Sequence, residues 1–260
     1  MAENNPIPSD PNTPESVELR REAPGYLQVR QHVVQPIVTR WLLGVTIAIF
    51  AIQTISGYLT NYDFPYLLGG KINEFILQGQ VWRFFTPILL HGSILHLLIN
   101  MYALYSLGSA IEPHYGHLRF LLLYLCGGFA GNVFSFVFSA NPSLGSSTAI
   151  FGLLGAEGIL ILQNRKFFGK NFKNLILNIG GIALVNLIIG LSTPRIDNWG
   201  HLGGLLGGVL FSYLAGPVWQ AKGFETHVEV SDRRKNQRNW LGTLAVLLVF
   251  SLLAAYRFIA

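Results

Sequence analysis

Residues 118–139 read LRFLLLYLCGGFAGNVFSFVFS, a stretch in which Arg119 is the one charged side chain. A helix needs about 20 mainly apolar residues to cross the roughly 30 Å of hydrocarbon in a bilayer, so this stretch is long enough to span a membrane. Similar apolar stretches occur at residues 38–59, 91–111, 147–163, 174–192, 200–219 and 239–258. We therefore expect an all-α, polytopic membrane protein with seven spanning helices.

The composition also indicates a membrane protein. Hydrophobic residues make up 51% of the chain and charged residues 12%, unlike a soluble domain. The net charge of +5 does not indicate nucleic acid binding, because Lys and Arg cluster in loops between the apolar stretches. Cys126 is the single cysteine, so the sequence excludes an intrachain disulfide and a cluster of thiolate metal ligands.

The basic loops predict the orientation of the chain. They lie before the first span, between the fourth and fifth spans and before the seventh, and they contain Arg20, Arg21, Arg30, Arg40, Arg165, Lys166, Lys170, Lys173, Arg233, Arg234, Lys235 and Arg238. All three fall on one side, which the positive-inside rule makes cytoplasmic. We expect a cytoplasmic amino terminus, an external carboxyl terminus and insertion in the cell membrane.

The chain divides into four predicted segments. Residues 1–34 are rich in Pro, Asn, Glu and Arg and predict a disordered cytoplasmic tail, with a short amphipathic piece near residues 26–33. Residues 35–220 hold a core of six helices, residues 221–238 a basic cytoplasmic linker, and residues 239–260 the seventh span. The tail is too long and too acidic for a signal or transit peptide, so the first span is expected to be an uncleaved anchor.

The external segment of residues 60–90 is too apolar for a plain hydrated loop and is expected to lie partly in the membrane interface. Trp82 suits the depth of the headgroups, and Arg83 is expected to reach toward lipid phosphate. At the opposite side, Glu112 is interpreted as a helix cap or a partner for Arg119.

Polar side chains gather at the external ends of the second, fourth and sixth spans. His96 and Asn100 are four residues apart and share one helical face. Ser147 opens the fourth span and His201 opens the sixth. Polar groups are costly in membrane helices, so function or pairing is their default explanation. Their common depth predicts that these four side chains converge.

Such a set supports acyl transfer. A serine hydroxyl becomes nucleophilic when a neutral imidazole takes its proton, which assigns Ser147 as nucleophile and His201 as base. The backbone N–H of Ser147, with His96 and Asn100, is placed to stabilise an oxyanion. Alternatively, His96 and Asn100 only bond loop backbone and hold the external segment. Asp197 lies in the loop before His201, so a Ser-His dyad is the simpler interpretation.

Small residues explain how the fourth and sixth spans can approach. Gly152 and Ala156 on the fourth span, and Gly200, Gly204 and Gly208 on the sixth, recur at intervals of four, a pattern that permits close helix contact. Phe151 lies one turn below Ser147 and is predicted to pack against the ring of His201, limiting its rotamers.

Four motifs across roughly residues 75–216 resemble the rhomboid family of intramembrane serine proteases. They are Trp82-Arg83, the HGSILHLLIN stretch of residues 91–100, the GSS-AIFG pattern of residues 145–152 and the HLGG stretch of residues 201–204. The resemblance implies a six-helix core, a Ser147–His201 dyad and oxyanion support from His96 and Asn100. It implies that Gly145, Gly204, Trp82, Arg83 and Phe151 are structural residues near the site.

The resemblance further implies substrates that carry a transmembrane segment, and no metal or organic cofactor. The seventh span is similar to a six-plus-one arrangement. Thr148 departs from the family, which commonly has Gly after the nucleophile, so packing or substrate range is expected to differ.

Two other functions compete with proteolysis. A catalytically inactive rhomboid-like protein would bind membrane segments without cutting them, but such relatives typically lack the serine or the histidine. A transporter or channel would place polar residues along the membrane, whereas here they share one depth. The oligomeric state is not predicted.

Overall fold

The computed structural model describes residues 28–31, 33–193, 196–224, 227–234 and 238–259. Its α-helices are α1 (Ile37–Thr60), α2 (Phe64–Gly69), α3 (Asn73–Leu77), α4 (Ile94–Tyr115), α5 (His117–Phe138), α6 (Ser147–Gln163), α7 (Arg165–Phe168), α8 (Phe172–Leu191), α9 (Asn198–Ala215) and α10 (Asn239–Ile259). Short 3-10 helices occur at Val81–Phe84, Thr86–Leu89 and Gly169–Asn171. Its strands are β1 (Gln28–Gln31), β2 (Trp219–Phe224) and β3 (His227–Asp232).

Helices occupy all seven apolar stretches, as the hydropathy predicts, with ends shifted by a few residues. Within the described ranges, five spans are long and apolar enough to cross a membrane: α1, α4, α5, α10 and the segment Arg165–Leu191. Helix α6 is apolar but has 17 residues. The chain is thus a mostly helical, polytopic membrane protein with five candidate spans and a shorter apolar helix.

Helices α5, α6 and α9 form the centre of the molecule. Of the apolar window of α5, 72% is buried inside the protein, against 11% for α1 and 11% for Arg165–Leu191. Helices α5 and α6 approach so closely at Gly127 and Gly152 that a Cβ on Gly127 would come within 3.0 Å of the Cα of Gly152. Because glycine has no side chain, the backbones can touch here and hold the ends of these helices in fixed positions.

Two of the helices that carry the candidate residues begin with a side-chain cap. The Ser93 Oγ accepts a hydrogen bond from the His96 N–H at the start of α4, at 3.2 Å. The Asp197 Oδ1 accepts one from the Gly200 N–H at the start of α9, at 2.9 Å. These caps satisfy N–H groups that have no partner within the helix and fix where His96 and His201 lie.

The external segment is held together by Arg83, which does not reach toward lipid phosphate as the sequence predicted. Its side chain is 2% exposed and donates to the carbonyl oxygens of Gly70 and Leu67, each at 2.6 Å. The guanidinium also lies over the ring of Phe75. Its Nε–H donates to the Gln80 Oε1 at 2.8 Å, so each of the three guanidinium nitrogens has an acceptor within the protein in place of phosphate. Trp82 is half exposed and donates to the Leu68 carbonyl at 3.0 Å.

A three-stranded sheet corrects the all-α prediction. Its order is β1-β3-β2, with β1 parallel to β3 and β2 antiparallel to it. Strand β1 lies within the stretch predicted as the tail, and the hairpin of β2 and β3 overlaps the stretch predicted as the basic linker. Residues 1–27 and 32 of the predicted tail lie outside the described residues. The alternation Val228, Glu229, Val230 has the two-residue period of a strand, a signal that counting basic residues overlooks.

Buried polar contacts tie together the helix ends on the side of the molecule opposite Ser147. Glu112 caps α1, because its carboxylate accepts from the N–H groups of Val38 and Thr39, each at 2.8 Å. The cap interpretation is therefore confirmed, whereas the pairing of Glu112 with Arg119 is wrong. Arg119 instead binds Asp232 of β3 at 2.8 Å. This ion pair fastens the hairpin to α5.

Candidate active site

The hydroxyl of Ser147 and the imidazole of His201 lie at the centre of the candidate site. Ser147 is the first residue of α6 and His201 lies in the first turn of α9. The Ser147 Oγ and the His201 Nε2 are 2.9 Å apart, within hydrogen-bond distance. The pair thus has the contact that proton transfer from serine to histidine requires.

Among the described residues, no carboxylate forms a hydrogen bond with the other ring nitrogen of His201. Within the described residues, the His201 Nδ1 is buried and has no hydrogen-bond partner. Asp197 lies nearby, but its Oδ1 caps α9 through the Gly200 N–H. The arrangement is therefore a serine and a histidine without the third, orienting residue of a triad.

Phe151 supplies the orientation that a carboxylate would otherwise give. Its ring stacks on the His201 imidazole, with centroids 4.3 Å apart and planes 8° from parallel. Phe151 is one helical turn after Ser147, so the helix that carries the hydroxyl also carries the surface against which the imidazole lies.

The contact between Ser147 and His201 depends on how closely α6 and α9 approach. A Cβ on Gly204 would clash with the carbonyl oxygen of Thr148, and one on Gly208 would clash with that of Gly152. Both obstacles are backbone atoms that no rotamer change can move. The spacing of four residues thus has the packing role that the sequence predicted.

His96 lies next to the loop that leads into Ser147. A Cβ on Gly145 would be 2.8 Å from both the Cε1 and the Nε2 of His96, and 3.7 Å from the Ser147 Oγ. Gly145 also has φ of +131°, a backbone conformation that side chains with a Cβ rarely adopt. The absent side chain leaves the space in which the ring of His96 lies next to the residues that lead into Ser147.

Asn100 lies one turn below His96 and is 5% exposed. Its Nδ2 donates to the His96 carbonyl oxygen at 3.0 Å, which leaves one of the two amide hydrogens for another acceptor. The N–H groups of the first turn of α6 likewise have no acceptor within the helix. Helices α4 and α6 therefore both have N–H donors free near their starts.

A second contact between a serine and a histidine, which the sequence did not predict, involves Ser146, the residue before Ser147. The Ser146 Oγ and the His91 Nε2 are 3.3 Å apart, and both residues are buried. Burial, and to a lesser extent the neighbouring His96, lower the pKa of His91 to about 3, so its ring is neutral at physiological pH. The rings of His91 and His96 also contact each other, with centroids 5.0 Å apart.

Thr148 faces away from the Ser147 hydroxyl, into the contact of α5 with α9. It is 4% exposed, and its side chain occupies the space beside Gly131 and Gly200. A Cβ on Gly131 would lie 2.6 Å from the Thr148 Cβ, and one on Gly200 would lie 3.0 Å from its Cγ2. The departure from glycine at this position therefore changes helix packing.

A family model for the rhomboid domain matches residues 78–218, which extend from the end of α3 to the residue before β2. The chain belongs to the rhomboid family. Helices α4, α5, α6, α8 and α9 all lie within this rhomboid domain, whereas α1, α10 and the three strands lie outside it.

Curated relatives agree with this membership. The chain is 45% identical over 174 residues to "Rhomboid protease GluP" of Bacillus subtilis (strain 168), a match that covers 67% of this chain and 34% of that protein. It is 40% identical over 144 residues to "RHOMBOID-like protein 1" of Arabidopsis thaliana, which covers 55% of this chain and 36% of the relative. It is 34% identical over 141 residues to "Putative rhomboid protease YdcA" of Bacillus subtilis (strain 168), a match that covers 54% of this chain and 69% of that protein. The matched region is thus about a third of GluP and of the plant relative.

Proposed function

We propose that this rhomboid is an intramembrane serine endopeptidase that cuts proteins carrying a transmembrane segment. The observation that carries the proposal is the 2.9 Å separation of the Ser147 Oγ and the His201 Nε2. Membership of the rhomboid family and the similarity to a relative named as a protease support the same activity.

In the proposed reaction, the His201 Nε2 takes the Ser147 proton while the Oγ attacks the carbonyl carbon of the scissile peptide bond. The tetrahedral intermediate collapses as the imidazolium gives its proton to the leaving amine, and the peptide C–N bond breaks. Water then attacks the acyl-enzyme, with His201 again as base, and releases the carboxyl product and free Ser147.

The negative oxygen of the intermediate needs fixed donors. The Ser147 N–H, the second amide hydrogen of Asn100 and the ring of His96 are our proposed set. Loss of one such donor typically lowers the rate about 10²–10³-fold. The position of His96 beside Gly145, close to the Ser147 Oγ, supports its assignment.

The proposed topology has a cytoplasmic amino terminus, six core helices and α10 as an additional span, in the cell membrane. At about 1.5 Å per residue the 17 residues of α6 reach about 25 Å, less than the hydrocarbon thickness. Ser147 at the external end of α6 would then lie below the headgroups, where it meets a bond inside or next to a transmembrane segment.

The test uses purified protein and a single-span reporter substrate. Ser147→Ala and His201→Ala should abolish cleavage, whereas Asn100→Ala should lower kcat and leave measurable turnover. A fluorophosphonate probe should label the wild type, and neither the Ser147→Ala nor the His201→Ala variant. Undiminished cleavage by Ser147→Ala would refute the mechanism, and binding of the reporter without cleavage by the wild type would favour the inactive, substrate-binding alternative.

A further inference from the structure

A buried lysine lies on the external side, away from the dyad. Lys71 is 0% exposed, and its Nζ donates to the carbonyl oxygens of Asn141 at 2.8 Å and Ser139 at 3.2 Å. Because an ammonium in a protein interior is costly to desolvate, a residue of this kind is retained where its hydrogen bonds hold something in place.

The segment that Lys71 holds leads directly to the nucleophile. Residues 139–146 connect the end of α5 to Ser147. The backbone of Lys71 also pairs with that of Ser143 in both directions, each bond at 3.0 Å. Four hydrogen bonds from one residue thus fix this connection at three of its positions.

The residue that caps α9 contributes to the electrostatics of Lys71. Burial lowers the pKa of Lys71 to about 8, and the negative charges of Asp197 and, less strongly, Glu74 oppose that shift. Asp197 caps α9 four residues before His201, and its Oδ2 is buried without a hydrogen-bond partner among the described residues. The negative charge of Asp197 thus favours the charged form of Lys71, the form that bonds the loop before α6.

We infer that Lys71 is a positioning residue of the protease, which sets the placement of Ser147 relative to His201 by holding the 139–146 loop. It touches no reacting atom. Arg83 extends this support, because it donates to the carbonyl of Gly70, the residue before Lys71. Through Arg83 and Lys71, the external segment thus supports the loop that leads into α6.

This inference rests on the proposed function, and its test separates the two. Kinetics with the single-span reporter compare the wild type with Lys71→Met, which keeps the length of the side chain and removes its donors and charge. We expect kcat to fall about 10–100-fold, as for other small misplacements of reacting groups, with KM changed less than about threefold. Lys71→Arg, which keeps charge and donors, should recover part of kcat. Lys222→Met, on the exposed surface of β2, is the matched control and should leave both constants unchanged.

A second measurement does not depend on activity. Hydrogen exchange of the amides in residues 139–146 should be faster in Lys71→Met than in the wild type, while that of α5 stays unchanged. If Lys71→Met does not fold, Lys71→Gln, which keeps two N–H donors without charge, takes its place. An active wild type with unchanged kcat and exchange in these variants, or a Lys71→Arg protein no better than Lys71→Met, would overturn the inference. An inactive wild type would count against the proposed function instead.

Discussion

The imidazole of His201 lies flat on the ring of Phe151, although these residues belong to different helices. A stacked ring restricts rotation about the His201 side-chain bonds, and in the described residues no carboxylate bonds to the Nδ1 to do so. The position of the His201 ring is therefore set by an aromatic surface, and under the proposed function a change of that surface should affect turnover.

Phe151→Leu should lower kcat about tenfold with little change in KM, because the imidazole then samples rotamers that do not face the Ser147 hydroxyl. Reporter kinetics measure both constants. Phe120→Leu, a fully buried phenylalanine on α5, is the control for loss of core packing and should retain kcat. Equal kcat in the Phe151→Leu protein and the wild type would show that the stacking has no kinetic role.

Gly204→Ala should separate α6 from α9, because the added Cβ would clash with the Thr148 carbonyl oxygen. We expect a loss of about 1–3 kcal/mol or more in the free energy of unfolding, together with loss of fluorophosphonate labelling. Gly181→Ala on α8 meets nothing within 4 Å and should be neutral or stabilising. Similar unfolding curves for the two variants would contradict this account of the helix contact.

Thr148→Val should stabilise the protein or leave it unchanged, because the Thr148 Oγ1 is buried without a partner among the described residues. Cleavage of a panel of reporters should show the wild-type preference, since the side chain packs between α5 and α9. Thr39→Val gives the opposite sign, because the Thr39 Oγ1 donates to the Glu112 carboxylate at 2.7 Å, and it should destabilise by about 1–3 kcal/mol. A changed substrate preference in Thr148→Val would show that this position reaches the substrate.

Because of Lys71, the free energy of unfolding should change with pH in the alkaline range. Its pKa is about 8 in the folded protein and near 10.4 in an unfolded chain, so between these values the unfolded state binds more protons. The contribution of Lys71 to the free energy of unfolding should therefore rise with pH across this range and stay constant below pH 8. Unfolding measured from pH 7 to 10.5 should show this rise in the wild type relative to Lys71→Met. Parallel pH profiles would mean that the Lys71 pKa is unshifted.

The orientation is testable with single cysteines in a Cys126→Ala background. Asn141 lies in the exposed part of the loop before α6. The Asn141→Cys protein should therefore react with an impermeant thiol reagent from outside intact cells. Lys170→Cys, in the exposed loop between α7 and α8, should react only after lysis. The reverse pattern would invert the proposed topology.

The helices were predictable from sequence because a segment that crosses the lipid must be apolar, about 20 residues long and able to satisfy its own backbone hydrogen bonds. An apolar run near 20 residues has few alternatives to a membrane helix, and the seven runs and seven helices agree within a few residues. Because a helix has about 3.6 residues per turn, the glycines four residues apart could be predicted to share one helical face, and Phe151 to lie one turn after Ser147. The resemblance to rhomboids on four motifs is confirmed by the family match, whereas the catalytic roles of Ser147 and His201 stay predictions.

The contacts that escaped prediction join residues far apart in the chain. The partners of Arg83 could not be predicted from sequence, because the carbonyls of Leu67 and Gly70 come close to Arg83 only in the folded protein. Lys71 and the pair of Ser146 with His91 were missed for the same reason. The small sheet was hidden because β1 is four residues long and its partner β3 lies near the other end of the chain.

That sheet also has a consequence for biosynthesis. Strand β1 leaves the ribosome early, but β3 follows about 200 residues later, after the helices between them have been made and inserted. Until then the segment that becomes β1 has no β3 to pair with. Pairing of β1 with β3 therefore has to wait until the helices that separate them in sequence have been made.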